Sequence, residues 1–179
     1  NTKYHKIYRK VFAISDTVKN DIISRGDVTP ELIYNGIRID NVKQRNDFKL
    51  SGTFKIVCVS RLEHEKKGQD VLIKAIHLLK SKFNIDCQLD LIGIGNSLKY
   101  LQELSRELKI ENQVNFLGLK DRTYIYNNLC NYHLFVQPSR YEGFGLTVVE
   151  AMAAKIPVLV SNIDGPIEII KNGDFFITK

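Results

Sequence analysis

The chain has 179 residues, of which 44% are hydrophobic and 26% charged, and its formal net charge is +6. This composition is that of an ordinary globular protein, and we find neither a repeat nor a low-complexity segment. No apolar run reaches the roughly 20 residues that a membrane-spanning helix needs. The positive charge favours acidic partners, and nucleotide diphosphates, anionic lipids and nucleic acids all have this property.

The amino-terminal forty residues predict short, irregular elements. These are a basic helix at 3–10, a strand at 11–14, a helix at 16–25 and a strand at 31–34. The polar stretch 41–49 follows, and then Ser51 and Gly52, which are typical of a connection between domains.

From residue 54 onward, short β-rich runs alternate with amphipathic helical stretches. The predicted strands occupy residues 54–60, 88–93, 113–117, 133–137, 157–161 and 175–177. The predicted helices occupy residues 69–82, 97–109, 122–131 and 146–154, with another after residue 161. Strands separated by helices of this length need crossover connections. The sequence therefore predicts an α/β fold with a doubly wound, Rossmann-like parallel sheet.

Three cysteines lie in these apolar stretches, and they show no C-x-x-C spacing. They are Cys58, Cys87 and Cys130. An odd number of cysteines without metal-ligand spacing favours reduced thiols in the core, and we expect a cytoplasmic protein without a metal site.

Two carboxylates flank a glycine-rich turn in the segment YEGFGLTVVEAMAA, residues 141–154. Glu142 falls in the loop and Glu150 in the helix, while Gly143 and Gly145 leave room for an anion near the backbone. A helix that begins at the carboxyl end of a strand suits phosphate, because its first amides carry partial positive charge. Carboxylates repel phosphate, so we expect Glu142 and Glu150 to bind sugar hydroxyls. Taken alone, such a pair is often structural.

Cations are predicted at the same edge of the sheet. Arg61 follows the strand 54–60, and Lys66 and Lys67 precede the next helix. An arginine fork matches two phosphate oxygens and a lysine adds a point charge, which together would neutralise a diphosphate. Considered singly, each is an ordinary surface charge.

The segment LIGIGNS contains Gly93 and Gly95 and invites a dinucleotide-binding interpretation. Leu98 stands where the third glycine of that pattern belongs, which disfavours it. We favour the alternative, in which the two glycines let the following helix begin close to the sheet and to a bound nucleotide.

Four segments resemble glycosyltransferase family 4, which uses nucleotide sugars. VSRLEHEKKGQDVLIKA at 59–75 is similar to the R-L-x-x-x-K-G signature, and residues 142–150 resemble the E-x7-E motif. IPVLVSNIDGPIEII at 156–170 resembles the following strand and turn, and YNGIRID at 34–40 resembles the element that joins the two domains. Any one segment is a weak signal, whereas four in the family's order are a strong one.

Two departures from the family pattern are visible. The spacing from Arg61 to Gly68 is one residue longer than the commonest form, which leaves Lys66 and Lys67 as alternative phosphate ligands. Lys67 is favoured because it directly precedes the glycine. The turn at 162–166 lacks the usual pair of glycines, so the sugar contacts of that loop do not carry over.

The resemblance implies a role for each matching residue. Arg61 and Lys67 would hold the diphosphate and Glu142 would contact the transferred sugar, and these three form the catalytic set. Glu150 would accept hydrogen bonds from ribose. The predicted donor-binding residues are Arg61, Lys66, Lys67, Gly93, Gly95, Glu142, Gly143, Phe144, Gly145, Leu146 and Glu150.

The family has a GT-B fold, in which two Rossmann-like domains face a cleft. The resemblance implies that residues 1–45 are the tail of the amino-terminal acceptor domain with the linker. Residues 46–179 would be the donor-binding domain, truncated at its carboxyl end. The acceptor, a glycan or lipid-linked sugar, would bind the missing domain. This chain alone is therefore expected to be inactive. For the full-length protein, the resemblance is compatible with peripheral association at the inner face of the membrane.

The resulting hypothesis is a retaining, metal-independent hexosyltransferase domain in glycan or polysaccharide biosynthesis, with a nucleotide-diphosphate sugar as substrate and no cofactor. The alternative is a non-catalytic module that binds a nucleotide or nucleotide sugar. A nicotinamide-dependent oxidoreductase is disfavoured by Leu98. A nucleic-acid partner is not expected, because the aromatic residues do not interleave with a basic strip.

Overall fold

The computed structural model describes residues 9–26 and 28–170, together with the backbone of residues 176–178. Within them the strands are β1 (Phe12–Ala13), β2 (Glu31–Leu32), β3 (Phe54–Val59), β4 (Cys87–Ile92), β5 (Val114–Gly118), β6 (Leu134–Gln137), β7 (Val158–Ser161) and β8 (Phe176–Thr178). The helices are α1 (Asp16–Arg25), α2 (His64–Lys67), α3 (Gln69–Phe83), α4 (Leu98–Glu107), α5 (Arg122–Asn128), α6 (Leu146–Ala153) and α7 (Asp164–Ile170).

Strands β3 to β8 form one parallel sheet with the order β5-β4-β3-β6-β7-β8. The chain winds outward in one direction from β3 and in the other from β6, which is the doubly wound topology, and the predicted fold class is confirmed. In such sheets ligands bind where the direction reverses, at the carboxyl ends of the two central strands. That position here lies between β3 and β6.

Both faces of the sheet are buried, as a parallel sheet requires. Side chains of β3 alternate between two cores, with Val57 in one and Ile56 and Cys58 in the other. Helices α5 and α6 cover the first core, and α3 and α4 cover the second. The site is therefore built on a rigid support.

The three cysteines are buried free thiols, as expected. Burial raises the pKa of Cys58 to about 11, so this thiol stays protonated at neutral pH.

Two predicted elements differ from the structure. The loop predicted after Arg61 contains the short helix α2, and the helix predicted at 122–131 ends at Asn128, where a 3-10 turn replaces it. The basic helix predicted at 3–10 falls largely outside the described residues, and Arg9 and Lys10 are not helical. Among the helices that the structure describes, none combines the length and apolar character needed to cross a bilayer.

Strands β1 and β2 form a separate two-stranded parallel sheet, with α1 between them. This unit contacts helix α7 through Glu168, whose carboxylate accepts hydrogen bonds from the backbone N–H groups of Asp16 and Thr17 at 2.8 and 3.0 Å. A carboxylate at a helix start stabilises the free amides and the helix dipole. The division of the chain at residues 45 and 46 stays a prediction.

Candidate active site

The loops that follow β3 and β6 meet at the point where the winding direction reverses. Gly68 has φ +68°, and a Cβ atom there would collide with the carbonyl oxygen of Pro138. The backbone N–H groups of Arg140 and Tyr141 both donate to the carbonyl of Lys66, at 2.8 and 3.1 Å. Glycine at position 68 therefore allows the two loops to pack backbone against backbone.

Arg140 holds this junction together. Its guanidinium donates two hydrogen bonds to the Asp70 carboxylate, both of 2.9 Å, and another of 2.7 Å to the carbonyl of His64. Burial alone would raise the pKa of Asp70, but the hydrogen bonds and charge of Arg140 keep that pKa below its usual value. The sequence reasoning missed both residues. The available signal was Asp70 at the start of α3, because a carboxylate buried at that position needs a cationic partner.

Lys67 is directed at Glu142. Its Nζ lies 2.8 Å from Glu142 Oε2, and both side chains are about four-fifths buried, with exposures of 20% and 19%. Gln137 Nε2 donates to the same oxygen at 2.8 Å, and Thr147 Oγ1 donates to Gln137 Oε1 at 3.0 Å. A chain of contacts thus runs from α2 through the loop to the first turn of α6.

The sequence did not predict this pairing. Lys67 and Glu142 were expected to contact different parts of a ligand, and in the structure without a ligand they contact each other. The physical reason is that two partly buried opposite charges in adjacent loops neutralise each other. Gln137 was predicted only as a strand end, and its amide is the polar partner that the sequence reasoning did not find.

The other two cations occupy more exposed positions. Arg61 Nη1 lies 3.0 Å from Glu63 Oε1, and the Arg61 side chain is 71% exposed. Lys66 Nζ lies 3.6 Å from the second oxygen of Glu63, with 65% of its side chain exposed. Of the two candidate lysines, Lys67 is therefore the one that the fold brings to Glu142.

Gly93 and Gly95 allow a close approach of the loop after β4 to the end of β3. A Cβ atom at either position would collide with backbone of Ser60 or Leu62. Beside them is a pocket of about 230 Å³ at the carboxyl ends of β3, β4 and β5. Its lining includes Arg61, Gly93, Ile94, Leu119, Lys120 and Thr147.

Helix α6 begins at Gly145, which has φ +99° and provides no side-chain cap. The first amides of a helix lack an i−4 partner within the helix. In α6 the N–H of Val148 donates to the Gly145 carbonyl at 2.9 Å, which leaves the amides of Leu146 and Thr147 for an anion. Phe144 contributes backbone only, because its side chain is buried. Gly143 is open, with Val18 Cγ2 the nearest atom to a Cβ built there, at 3.9 Å.

Glu150 lies one turn after Thr147 on α6 and is only 7% exposed. Burial raises the pKa of its carboxyl, and the charge of Arg122 lowers it by less. The described residues supply no hydrogen bond that offsets this burial. A buried acid without a donor partner is typical of a binding site rather than of a structural pair.

The family model for glycosyl transferases group 1 matches residues 40–179. An uncharacterized glycosyltransferase of Methanocaldococcus jannaschii is 31% identical over an alignment of 178 positions, which covers 91% of this chain and 45% of that protein. The N-acetylgalactosamine-N,N'-diacetylbacillosaminyl-diphospho-undecaprenol 4-alpha-N-acetylgalactosaminyltransferase of Campylobacter jejuni is 30% identical, with coverage of 79% and 38%. Among solved structures, Anabaena HepE in complex with UDP and glucose matches with a TM-score of 0.81 and 26% identity, over 95% of this chain and 49% of that one.

The fold defines one Rossmann-like half of a GT-B glycosyltransferase, as the sequence predicted. The chain belongs to the glycosyl transferases group 1 family. It spans less than half the length of these relatives.

Proposed function

We propose that this chain is the donor-binding half of a retaining glycosyltransferase that uses a nucleotide-diphosphate sugar. The observation that carries the proposal is the convergence of a cationic loop and an uncapped helix start where the sheet reverses its winding direction. Lys67 and Arg61 follow β3, and α6 begins after β6. Both elements favour the same ligand group, a phosphate.

The diphosphate would lie between Arg61, Lys67 and the amides of residues 144–146. Arg61 is exposed enough to turn from Glu63 toward an anion. Lys67 would exchange Glu142 for a phosphate oxygen, and Gln137 would continue to donate to Glu142 after that exchange. This lysine therefore has a defined partner with and without phosphate.

The nucleoside would occupy the pocket of about 230 Å³ beside Gly93. Ile94 and Leu119 are 53% and 71% exposed there and offer apolar surface to a base. Glu150, on the helix that also carries Thr147 of the pocket lining, would accept hydrogen bonds from ribose hydroxyls. Those bonds would offset the cost of burying its charge.

The transferred sugar would lie near Glu142, which also lines a cleft of about 430 Å³ between α1 and the loops after β6 and β7. During transfer the bond from the anomeric carbon to the phosphate oxygen breaks, and its electron pair leaves with the nucleoside diphosphate. An acceptor hydroxyl oxygen forms the new bond to that carbon, and its proton passes to the departing phosphate. Arg61 and Lys67 would stabilise that negative charge without a metal. The acceptor, a glycan or lipid-linked sugar in cytoplasmic polysaccharide biosynthesis, would bind mainly through other parts of the protein.

The test is a calorimetric titration of this chain with UDP-, GDP- and ADP-sugars, their nucleosides and NAD. The proposal predicts binding of one nucleotide-sugar class, with a nucleoside that binds much more weakly than its diphosphate. Preference for NAD, or equal affinity for nucleoside and diphosphate, would refute it.

A further inference from the structure

A second concave surface lies at the opposite edge of the sheet, where β3 and β6 begin. This basal cleft has a volume of about 590 Å³ and is formed by the segment 43–55 together with Asn131 and His133. A six-residue strand such as β3 is roughly 20 Å long, so the basal cleft lies about that far from the candidate active site. A ligand of one site would therefore not reach the other.

The lining of the basal cleft is strongly cationic. It contains Lys43, Arg45, Lys49 and Lys55 against a single acid, Asp47. Among the described residues, none of these four cations forms an ion pair. At the candidate active site, Arg61 and Lys66 are paired with Glu63, Lys67 with Glu142 and Arg140 with Asp70. Asp47 uses one carboxylate oxygen to accept the backbone N–H of Lys49 at 2.9 Å.

The segment that carries these charges is held against the core on both sides. The backbone N–H of Lys43 donates to the carbonyl of Tyr126, and that of Arg45 donates to Ala154, both at 2.9 Å. The Arg45 guanidinium donates to the carbonyl of Tyr132. Arg45 is thus positioned before any ligand binds, which lowers the entropic cost of binding.

His133 adds a donor. Its Nδ1 accepts the backbone N–H of Lys55 at 2.9 Å, and its ring stacks on Phe54 with centroids 5.1 Å apart. Burial lowers the pKa of His133, and the charges of Arg45 and Lys55 lower it further. A neutral ring whose Nδ1 is an acceptor carries its proton on Nε2. The cations and this ring together supply N–H donors, which match a ligand with several anionic oxygens.

We propose that the basal cleft binds a phosphate-bearing anion, either a soluble phosphate or the phosphate headgroup of an anionic lipid. Two exposed apolar side chains on the same segment, Phe48 at 60% and Leu50 at 69%, would suit the lipid source. The inference is independent of the proposed donor site, because it uses none of its residues.

The test compares two triple variants that each remove three positive charges. The cleft variant is Lys43→Gln, Lys49→Gln and Lys55→Gln, and the matched control is Lys74→Gln, Lys82→Gln and Lys99→Gln on exposed faces of α3 and α4. Pyrophosphate is titrated while amide NMR shifts are followed. In parallel, cosedimentation is measured with phosphatidylcholine vesicles that contain or lack phosphatidylglycerol.

Binding of a soluble phosphate would be supported if pyrophosphate shifts the amides of Ser51, Gly52 and Thr53 and if its affinity falls more than about tenfold in the cleft variant alone. Binding to phosphatidylglycerol vesicles, lost in the cleft variant alone and reduced by Phe48→Ser with Leu50→Ser, would support the lipid source. Equal losses of pyrophosphate affinity or of vesicle binding in the two triple variants would overturn the proposal. It would also be overturned if pyrophosphate shifts none of these amides and the parent chain does not bind the vesicles. If the cleft variant unfolds, the amide shifts of the parent chain with pyrophosphate still test whether the basal cleft binds a soluble phosphate.

Discussion

Replacement of Lys67 by alanine is expected to weaken nucleoside diphosphate binding, while replacement of its neighbour Lys66 is not. The two lysines have the same charge and adjacent positions in α2. They differ in that Lys67 Nζ lies 2.8 Å from Glu142 and is 20% exposed, whereas Lys66 is 65% exposed and lies 3.6 Å from Glu63. Lys66→Ala is therefore a matched control for the loss of one positive charge.

The expected loss of affinity is set by two contacts of Lys67, the one it forms with phosphate and the one with Glu142 that it must break. A hydrogen bond to a charged group contributes about 1.5 to 3 kcal/mol, or roughly 10- to 150-fold in Kd. Because Lys67 must leave Glu142 to reach a phosphate, we expect the lower end, a loss of about tenfold. Lys66→Ala removes only an exposed charge, and its effect should stay below about threefold.

The assay is isothermal titration of both variants with UDP, GDP and ADP and with the matching nucleosides. Nucleoside affinity should not change, since the lost contact is to phosphate. An equal loss for nucleoside and diphosphate would refute the phosphate role of Lys67. A larger loss in Lys66→Ala than in Lys67→Ala would assign that role to Lys66.

Three further predictions test other parts of the site. Glu142→Gln should strengthen binding of the diphosphate without sugar by up to about fivefold, measured by calorimetry, because Lys67 no longer has to leave a carboxylate; weaker binding would contradict this. Burial raises the pKa of Glu150 in the folded protein above its value in the unfolded chain. The ionised carboxylate therefore destabilises the fold at pH values above the folded pKa, and this cost disappears below the unfolded pKa. Glu150→Gln should therefore melt higher than the parent at pH 8 and equally below about pH 4, and it should weaken ribonucleotides more than 2′,3′-dideoxy analogues. Equal weakening of both would exclude a ribose role. Gly68→Ala and Gly118→Ala change residues at φ +68° and +70°, but only at Gly68 would the Cβ atom meet neighbouring backbone. In urea denaturation the free energy of unfolding should fall by about 1 to 2 kcal/mol in both variants because alanine disfavours a left-handed backbone, and by about 1 to 3 kcal/mol more in Gly68→Ala because of the collision. Equal decreases would show that the close packing of the two loops does not contribute to stability.

The alternation of apolar strands and helices was sufficient to predict the central sheet. Predicted strand bounds agree with the structure to within a residue or so, as for the strand predicted at 88–93 and found at Cys87–Ile92. Each element has its own periodicity, and burial of both faces leaves a continuous apolar run that is easy to recognise. Gly145 likewise predicted the turn into α6 correctly, because its φ of +99° is a local requirement.

Helix α2 could not be predicted in this way. Four polar residues, His64–Lys67, are too few to form a stable helix by themselves. Their turn is held by Arg140, which donates to the carbonyl of His64 from a loop 76 positions further along the chain. The basal cleft depends on the same kind of contact, since Lys55 and His133 come together only when β3 and β6 are adjacent.

Local sequence patterns thus account for the fold class, the element order and the glycines at the tight turns, because these depend on interactions within a few residues. The partners of the functional side chains depend on which strands lie side by side. Lys67 and Glu142 are 75 positions apart, and they pair because β3 and β6 are neighbours at the centre of the sheet. Periodicity contains no information on that adjacency. Tertiary packing therefore decided that Lys67 rather than Lys66 reaches Glu142, and that Gln137 and Arg140 hold the two loops in place.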